Sequence, residues 1–204
     1  MAATTPISER VHIAIFGRTN DGKSTLMNRL VGHDVAIVSD KPGTTTDPVQ
    51  KALEVNGLGA AVLVDTPGLD DTTELGGERM ARTAKVLDKT DIAIVLFSSA
   101  EGASQLRIIE ECRIREIPTI VVLNKVDTTT NLEATVNALS ALTKQRVIAI
   151  SALTGEGIEA LHEAIVSCRK SDERLITEGF CEAGDSVLLV MPQDKSAPKG
   201  RLIQ

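Results

Sequence analysis

The sequence predicts an α/β protein: a mostly parallel six-stranded sheet with one antiparallel strand and helices on both faces. Three observations carry this reading. The extended runs are apolar along their whole length, as strands buried on both faces must be. Helical patterns of about ten residues or more separate most of them, the spacing that parallel crossovers need. One pair of runs is joined instead by a short Asn56-Gly57 turn, a hairpin signal that makes one strand antiparallel.

The elements follow in order. Val11–Phe16 is a short β-rich run that ends at Gly17, and Lys23–Val31 reads as a helix. Val49–Val55 and Ala60–Val64 form the hairpin. Glu78–Asp88 reads as a helix, Ile92–Phe97 as a buried strand, and Ser104–Glu116 as a helix that ends before Pro118. Thr119–Leu123 is a second buried strand, Leu132–Thr143 a helix, Arg146–Ile150 a strand and Gly157–Arg169 a helix.

The pattern changes after Arg169. Ser171–Asp185 is mixed and polar, Ser186–Met191 is apolar, and Gln193–Gly200 is polar with two prolines. Residues 1–170 are therefore read as a nucleotide-binding domain, for reasons given below. Residues 171–204 are read as a linker and the start of a truncated following domain. A disordered tail is the alternative.

Bulk composition narrows the class. The chain has 204 residues, 42% hydrophobic and 25% charged, which suits a globular protein with its own core. It has no Trp, no Tyr and three Phe, so nucleobases have no aromatic platform to stack on. The formal charge is −6, which gives no long-range attraction for a phosphate backbone. No nucleic-acid partner is expected. Cys112, Cys168 and Cys181 show no zinc or disulfide spacing and read as free thiols. No signal peptide is visible, and no apolar run approaches the roughly 18 residues of a membrane span. A cytoplasmic location without membrane attachment is expected.

Four motifs carry the chemistry, and each follows a predicted strand. Gly17-Arg-Thr-Asn-Asp-Gly22-Lys23-Ser24 fits G-x-x-x-x-G-K-[ST], the P-loop. Its glycines let backbone amides curl around phosphate oxygens, and the next helix points its positive end at them. Lys23 should bridge the β- and γ-phosphates, and Ser24 should ligate Mg²⁺. Asp65-Thr66-Pro67-Gly68 should hold the same Mg²⁺ through Asp65 and sense the γ-phosphate through the Gly68 amide. Asn124-Lys125-Val126-Asp127 suits guanine, because the Asp127 carboxylate can accept from N1–H and the 2-amino group together. The Lys125 stem can lie over the base. Ser151-Ala152 is placed for a backbone amide to reach guanine O6. Together the motifs predict GTP binding and hydrolysis, with Gly17, Thr19, Asn20, Asp21, Gly22, Lys23, Ser24, Thr25, Asp65, Gly68, Asn124, Lys125, Asp127, Ser151 and Ala152 as nucleotide contacts.

In these motifs the chain resembles the TRAFAC GTPases of the Era/TrmE-like branch. Gly43-Thr44-Thr45-Thr46-Asp47 resembles that branch's switch I motif. The resemblance implies Thr45 as a direct Mg²⁺ ligand and catalytic contact, with Thr44 as the fallback. Lys41–Pro48, Leu75–Arg79 and Gln193–Ile203 are similar to segments of the HydF GTPases of FeFe-hydrogenase maturation. That family continues into a dimerisation domain and an iron–sulfur domain. The likeness therefore implies a homodimer at full length, and partners among the maturation proteins and the hydrogenase. It implies no cluster in this segment.

The position that often carries a water-orienting Gln is Leu69, and no Arg finger is evident. Relatives with Asn at the position of Asn20 bind K⁺ against the phosphates. The resemblance therefore implies Asn20 as a K⁺ ligand, with Lys23, Thr45 and Gly68 as the other catalytic contacts. An Arg finger in that role contributes roughly 10³–10⁵ in rate. No general base is assigned. Asp21 and Asp47 are near in sequence. His12, His33 and His162 are read as structural or exposed.

Overall fold

The computed structural model describes residues 10–33, 50–69 and 83–170. The chain divides into two units after Asp172, and the described residues all belong to the first. The expected sheet is present. Its strands are β1 (Val11–Phe16), β2 (Gln50–Val55), β3 (Gly59–Asp65), β4 (Ile92–Phe97), β5 (Thr119–Leu123) and β6 (Val147–Ala149). They lie in the order β2-β3-β1-β4-β5-β6, and only β2 runs antiparallel, against β3. The helices are α1 (Lys23–His33), α2 (Ala103–Ile114), α3 (Leu132–Thr143) and α4 (Ile158–Lys170). Residues 83–87 are also helical, so the expected Glu78–Asp88 helix is seen only in its last turns.

The pleat of β1 shows why both faces must be covered. Ile13 and Ile15 join one apolar cluster with Leu26, Leu30, Leu161 and Ile165 of α1 and α4. Ala14 and Phe16 point the other way, into a cluster with Ile108 and Cys112 of α2 and Leu139 of α3. Successive strand side chains alternate between faces, so an unbroken apolar run supplies two cores at once. All six residues of β4 are buried.

Local signals set the ends. Asn131 caps α3, its side chain accepting from the Ala134 amide at 3.4 Å. Lys144, at φ 55°, closes the same helix in the left-handed region. The hairpin signalled by Asn56-Gly57 closes one residue sooner than the expected strand bounds, because β3 starts at Gly59 rather than Ala60. Val55 pairs with Gly59, so the loop holds Asn56, Gly57 and Leu58. Leu58 is buried in the core.

Chain order reverses at β1, which lies between β3 and β4. In open α/β sheets ligands bind at such a switch point, beyond the carboxyl ends of the strands. The loops after β1, β3, β5 and β6 carry the four motifs.

Candidate nucleotide site

The P-loop is held by its own buried acid. Asp21 is 2% exposed, and its carboxylate accepts from the Arg18 amide (2.6 Å), the Ser98 hydroxyl (2.7 Å) and the Gln105 side-chain amide (3.0 Å). This carboxylate is therefore engaged in holding the loop's shape. Asp47 lies outside the described residues. Ser98 and Gln105 carry no motif in the sequence, and only the fold brings them to Asp21. Asn20 sits at φ 66° and Gly22 at φ 95°. Asn tolerates the left-handed region and Gly has no steric cost there. A side chain on Gly22 would also strike the Asn124 amide nitrogen.

Lys23 folds back over this loop. Its Nζ donates to Gly17 O at 3.2 Å and to Arg18 O at 2.9 Å. Thr19, Asn20, Ser24 and Thr25 are exposed. The Arg18 guanidinium donates to Ser99 Oγ at 3.3 Å, beyond the end of β4. It is committed to that strand's loop in this state.

Ser24 Oγ donates to Asp65 Oδ2 at 2.7 Å, although the two residues are 41 apart in sequence. The other Asp65 oxygen, Oδ1, is buried without a hydrogen-bond partner. A buried carboxylate oxygen left unpaired is costly unless something else neutralises it. A hydroxyl and a carboxylate with one unsatisfied oxygen at the mouth of a phosphate loop form a hard donor set suited to Mg²⁺. The other expected Mg²⁺ contacts, Thr44 and Thr45, lie outside the described residues.

The loop after β3 packs directly on the P-loop. Thr66 Oγ1 donates to Ile15 O at 2.7 Å, and the Leu69 amide donates to Gly17 O at 3.1 Å. A Cβ on Gly68 would meet the Thr19 hydroxyl, and would lie 3.0 Å from the Thr19 backbone nitrogen. The approach is tight, and a larger residue would have to turn the Thr19 hydroxyl aside. Leu69 is partly buried against the α2-side cluster, so it serves packing at the place where a water-orienting side chain would stand.

The base-side loops are tied to the same centre by Asn124, which is 2% exposed. Its Nδ2 donates to Asp21 O at 2.8 Å, and its Oδ1 accepts from the Ala152 amide at 2.9 Å. One side chain thus joins the P-loop to the loop after β6. The sequence makes Asn124 a nucleotide contact and a backbone amide of Ser151-Ala152 a reader of guanine O6. In this structure Asn124 Oδ1 and the Ala152 amide bind each other. Ser151 is fully buried; its hydroxyl accepts from the Thr154 amide at 3.1 Å, and its amide donates to Glu156 O. Lys125 stands at φ 66°, where the Thr128 and Thr129 hydroxyls both cap its carbonyl at 3.0 Å. Lys125 and Asp127 are both exposed, as groups that meet a base must be.

The remaining candidates fall away from the site. His12 donates its backbone amide to Asp91 Oδ2 at 2.7 Å, a structural tie between β1 and the start of β4. His33 is the last residue of α1, and His162 lies within α4. The Cys112 and Cys168 thiols each have a pKa pushed up by burial. Cys181 lies outside the described residues.

A P-loop at the switch point, a metal-type Ser–Asp pair and an Asn-Lys-x-Asp loop together define a P-loop GTPase domain. The 50S ribosome-binding GTPase family profile matches residues 12–125, and the chain belongs to that family. Within it the type is TrmE/Era-like. The chain is 34% identical over 191 residues to the tRNA modification GTPase MnmE of Nitrosomonas europaea, covering 93% of this chain and 41% of that protein. It is 36% identical over 160 residues to GTPase Era of Clostridium acetobutylicum, covering 76% of this chain and 54% of that one. Era bound to MgGDPNP and nucleotides 1506–1542 of 16S ribosomal RNA superimposes with a TM-score of 0.62 at 27% identity, over 77% of this chain and 56% of that one. The chain thus spans about half or less of the length of these curated relatives. No described helix is long and apolar enough to cross a membrane.

Proposed function

We propose that this domain binds GTP with Mg²⁺ and hydrolyses it slowly, as a switch within a longer protein. The observation that carries this is the Ser24–Asp65 pair with its orphaned Oδ1 at the mouth of the P-loop. Mg²⁺, held by Ser24, Asp65 and Thr45, would neutralise charge on the β- and γ-phosphates. Lys23 lies over the P-loop and would reach the same phosphates. Gly68, packed against Thr19, would sense the γ-phosphate through its amide. The Asp127 carboxylate would take N1–H and the 2-amino group of guanine, and Lys125 would cover the base. Switching would reorder residues 39–48 and 69–78. With Leu69 packed away, K⁺ bound against Asn20, which is exposed at the rim of the loop, would stimulate hydrolysis. Calorimetric titration with GDP and ADP, with and without Mg²⁺, tests the nucleotide reading. Tight binding of GDP alone supports it; equal binding of ADP overturns it.

The task of the longer protein has two readings. The relatives favour an RNA-associated role, in tRNA modification or ribosome assembly, because MnmE is named for the first and the Era neighbour holds ribosomal RNA. In that reading, RNA contacts would be supplied by other domains of the longer protein. The second reading is FeFe-hydrogenase metallocluster maturation, as a homodimer. It rests on the sequence segments Lys41–Pro48, Leu75–Arg79 and Gln193–Ile203 alone, all outside the described residues. Iron and sulfide content of the full-length gene product, purified anaerobically, separates them. Bound iron supports maturation, and co-purified RNA without iron supports the RNA-associated role.

A further inference from the structure

We propose that Arg29, on the outer part of α1, is a positioning residue for guanine specificity. This rests on the GTP-binding reading and deepens it. The Arg29 guanidinium donates from Nε to Ala152 O at 3.0 Å and from Nη2 to Leu153 O. It therefore grips two successive carbonyls of the loop after β6, across more than 120 residues of sequence. Gly155, at φ 96°, brings the loop close, and a Cβ there would lie 3.6 Å from Nη1.

The consequence follows from the planar trans peptide, in which C=O and N–H point in opposite directions. With the oxygens of Ala152 and Leu153 held toward Arg29, the N–H groups of Leu153 and Thr154 turn away from it. The Thr154 N–H is taken by Ser151 Oγ, and the Ala152 N–H by Asn124 Oδ1. Among these amides, the Leu153 N–H is the one without a partner among the described residues. Arg29 thus presents a single oriented donor to an acceptor at guanine C6. Its charge also polarises the Ala152–Leu153 peptide and raises the positive potential there. Guanine O6 satisfies that donor; a purine with an amino group at C6 opposes it with another donor. The feature that reads guanine would then be a backbone amide, with α1 setting its direction. The same helix carries Lys23 and Ser24 at its other end, so phosphate and base ends share one rigid element.

The test compares GDP with 6-thio-GDP, which keeps N1–H and the 2-amino group but replaces O6 with a weaker acceptor. Wild type should prefer GDP. Arg29→Ala should weaken GDP binding roughly tenfold and leave 6-thio-GDP nearly unchanged, so that the preference collapses. Arg29→Lys, which can grip one carbonyl, should recover part of the preference and keeps the test usable if the alanine variant unfolds. Equal weakening of both nucleotides, or no weakening of GDP, overturns the role of Arg29. Equal binding of GDP and ADP by wild type overturns the guanine reading itself.

Discussion

The Ser24 hydroxyl stands 2.7 Å from Asp65 Oδ2, joining the start of α1 to the end of β3. Both groups are oxygen donors suited to the same hard cation, and each stabilises the other's position before any cation arrives. Ser24→Ala removes one donor and the hydrogen bond. Nucleotide affinity should fall roughly tenfold or more at millimolar Mg²⁺ and stay near wild type in EDTA. Titration with a fluorescent GTP analogue in the two buffers measures this. Equal losses in both would deny the metal role.

Asn124 should contribute to stability as well as to binding. Asn124→Ala orphans Asp21 O and the Ala152 amide in a buried setting, at a cost of about 1–3 kcal/mol for each. Thermal denaturation without nucleotide should show a clear drop in midpoint, roughly 2–4 °C per kcal/mol for a domain of this size. An unchanged midpoint would mean that Asn124 acts on nucleotide alone.

Gly68→Ala places a methyl group against the Thr19 hydroxyl and 3.0 Å from the Thr19 backbone nitrogen, so the hydroxyl must turn away and the two loops must shift by a few tenths of an ångström. Hydrolysis should fall roughly 10²-fold, while GDP affinity changes little, because the diphosphate does not reach this loop. Parallel turnover and GDP-binding assays check the split.

Asn20 lies in the left-handed region, where it would be chosen for the turn as readily as for a cation. The K⁺ reading separates these roles. GTP turnover should be faster in K⁺ than in Na⁺ by about 10-fold or more, and Asn20→Ala should remove the difference. Equal rates in the two salts would leave Asn20 as a turn residue.

The sheet was legible because its strands are apolar throughout. Ile92–Phe97 and Thr119–Leu123 end where the sequence pattern ends. The motifs were legible because phosphate and guanine recognition fix residue types at short spacings. What holds the motifs in place was not. The Asp21–Gln105, Asp21–Ser98 and Arg29–Leu153 contacts each link residues 77 or more apart. No local pattern announces a Gln buried beneath a P-loop or an Arg turned back onto a distant carbonyl. The internal bonds of Asn124 and Ala152 were missed for the same reason. A motif names the residues near a ligand, but the fold decides which of their atoms are already engaged.

Steady-state phosphate release by the purified chain, with GTP or ATP as substrate and Lys23→Ala as control, tests the central claim most directly. Slow Mg²⁺-dependent release from GTP, none above background from ATP, and loss of activity in Lys23→Ala are expected. Release from ATP at the GTP rate, or turnover undiminished in the Lys23 variant, would contradict it.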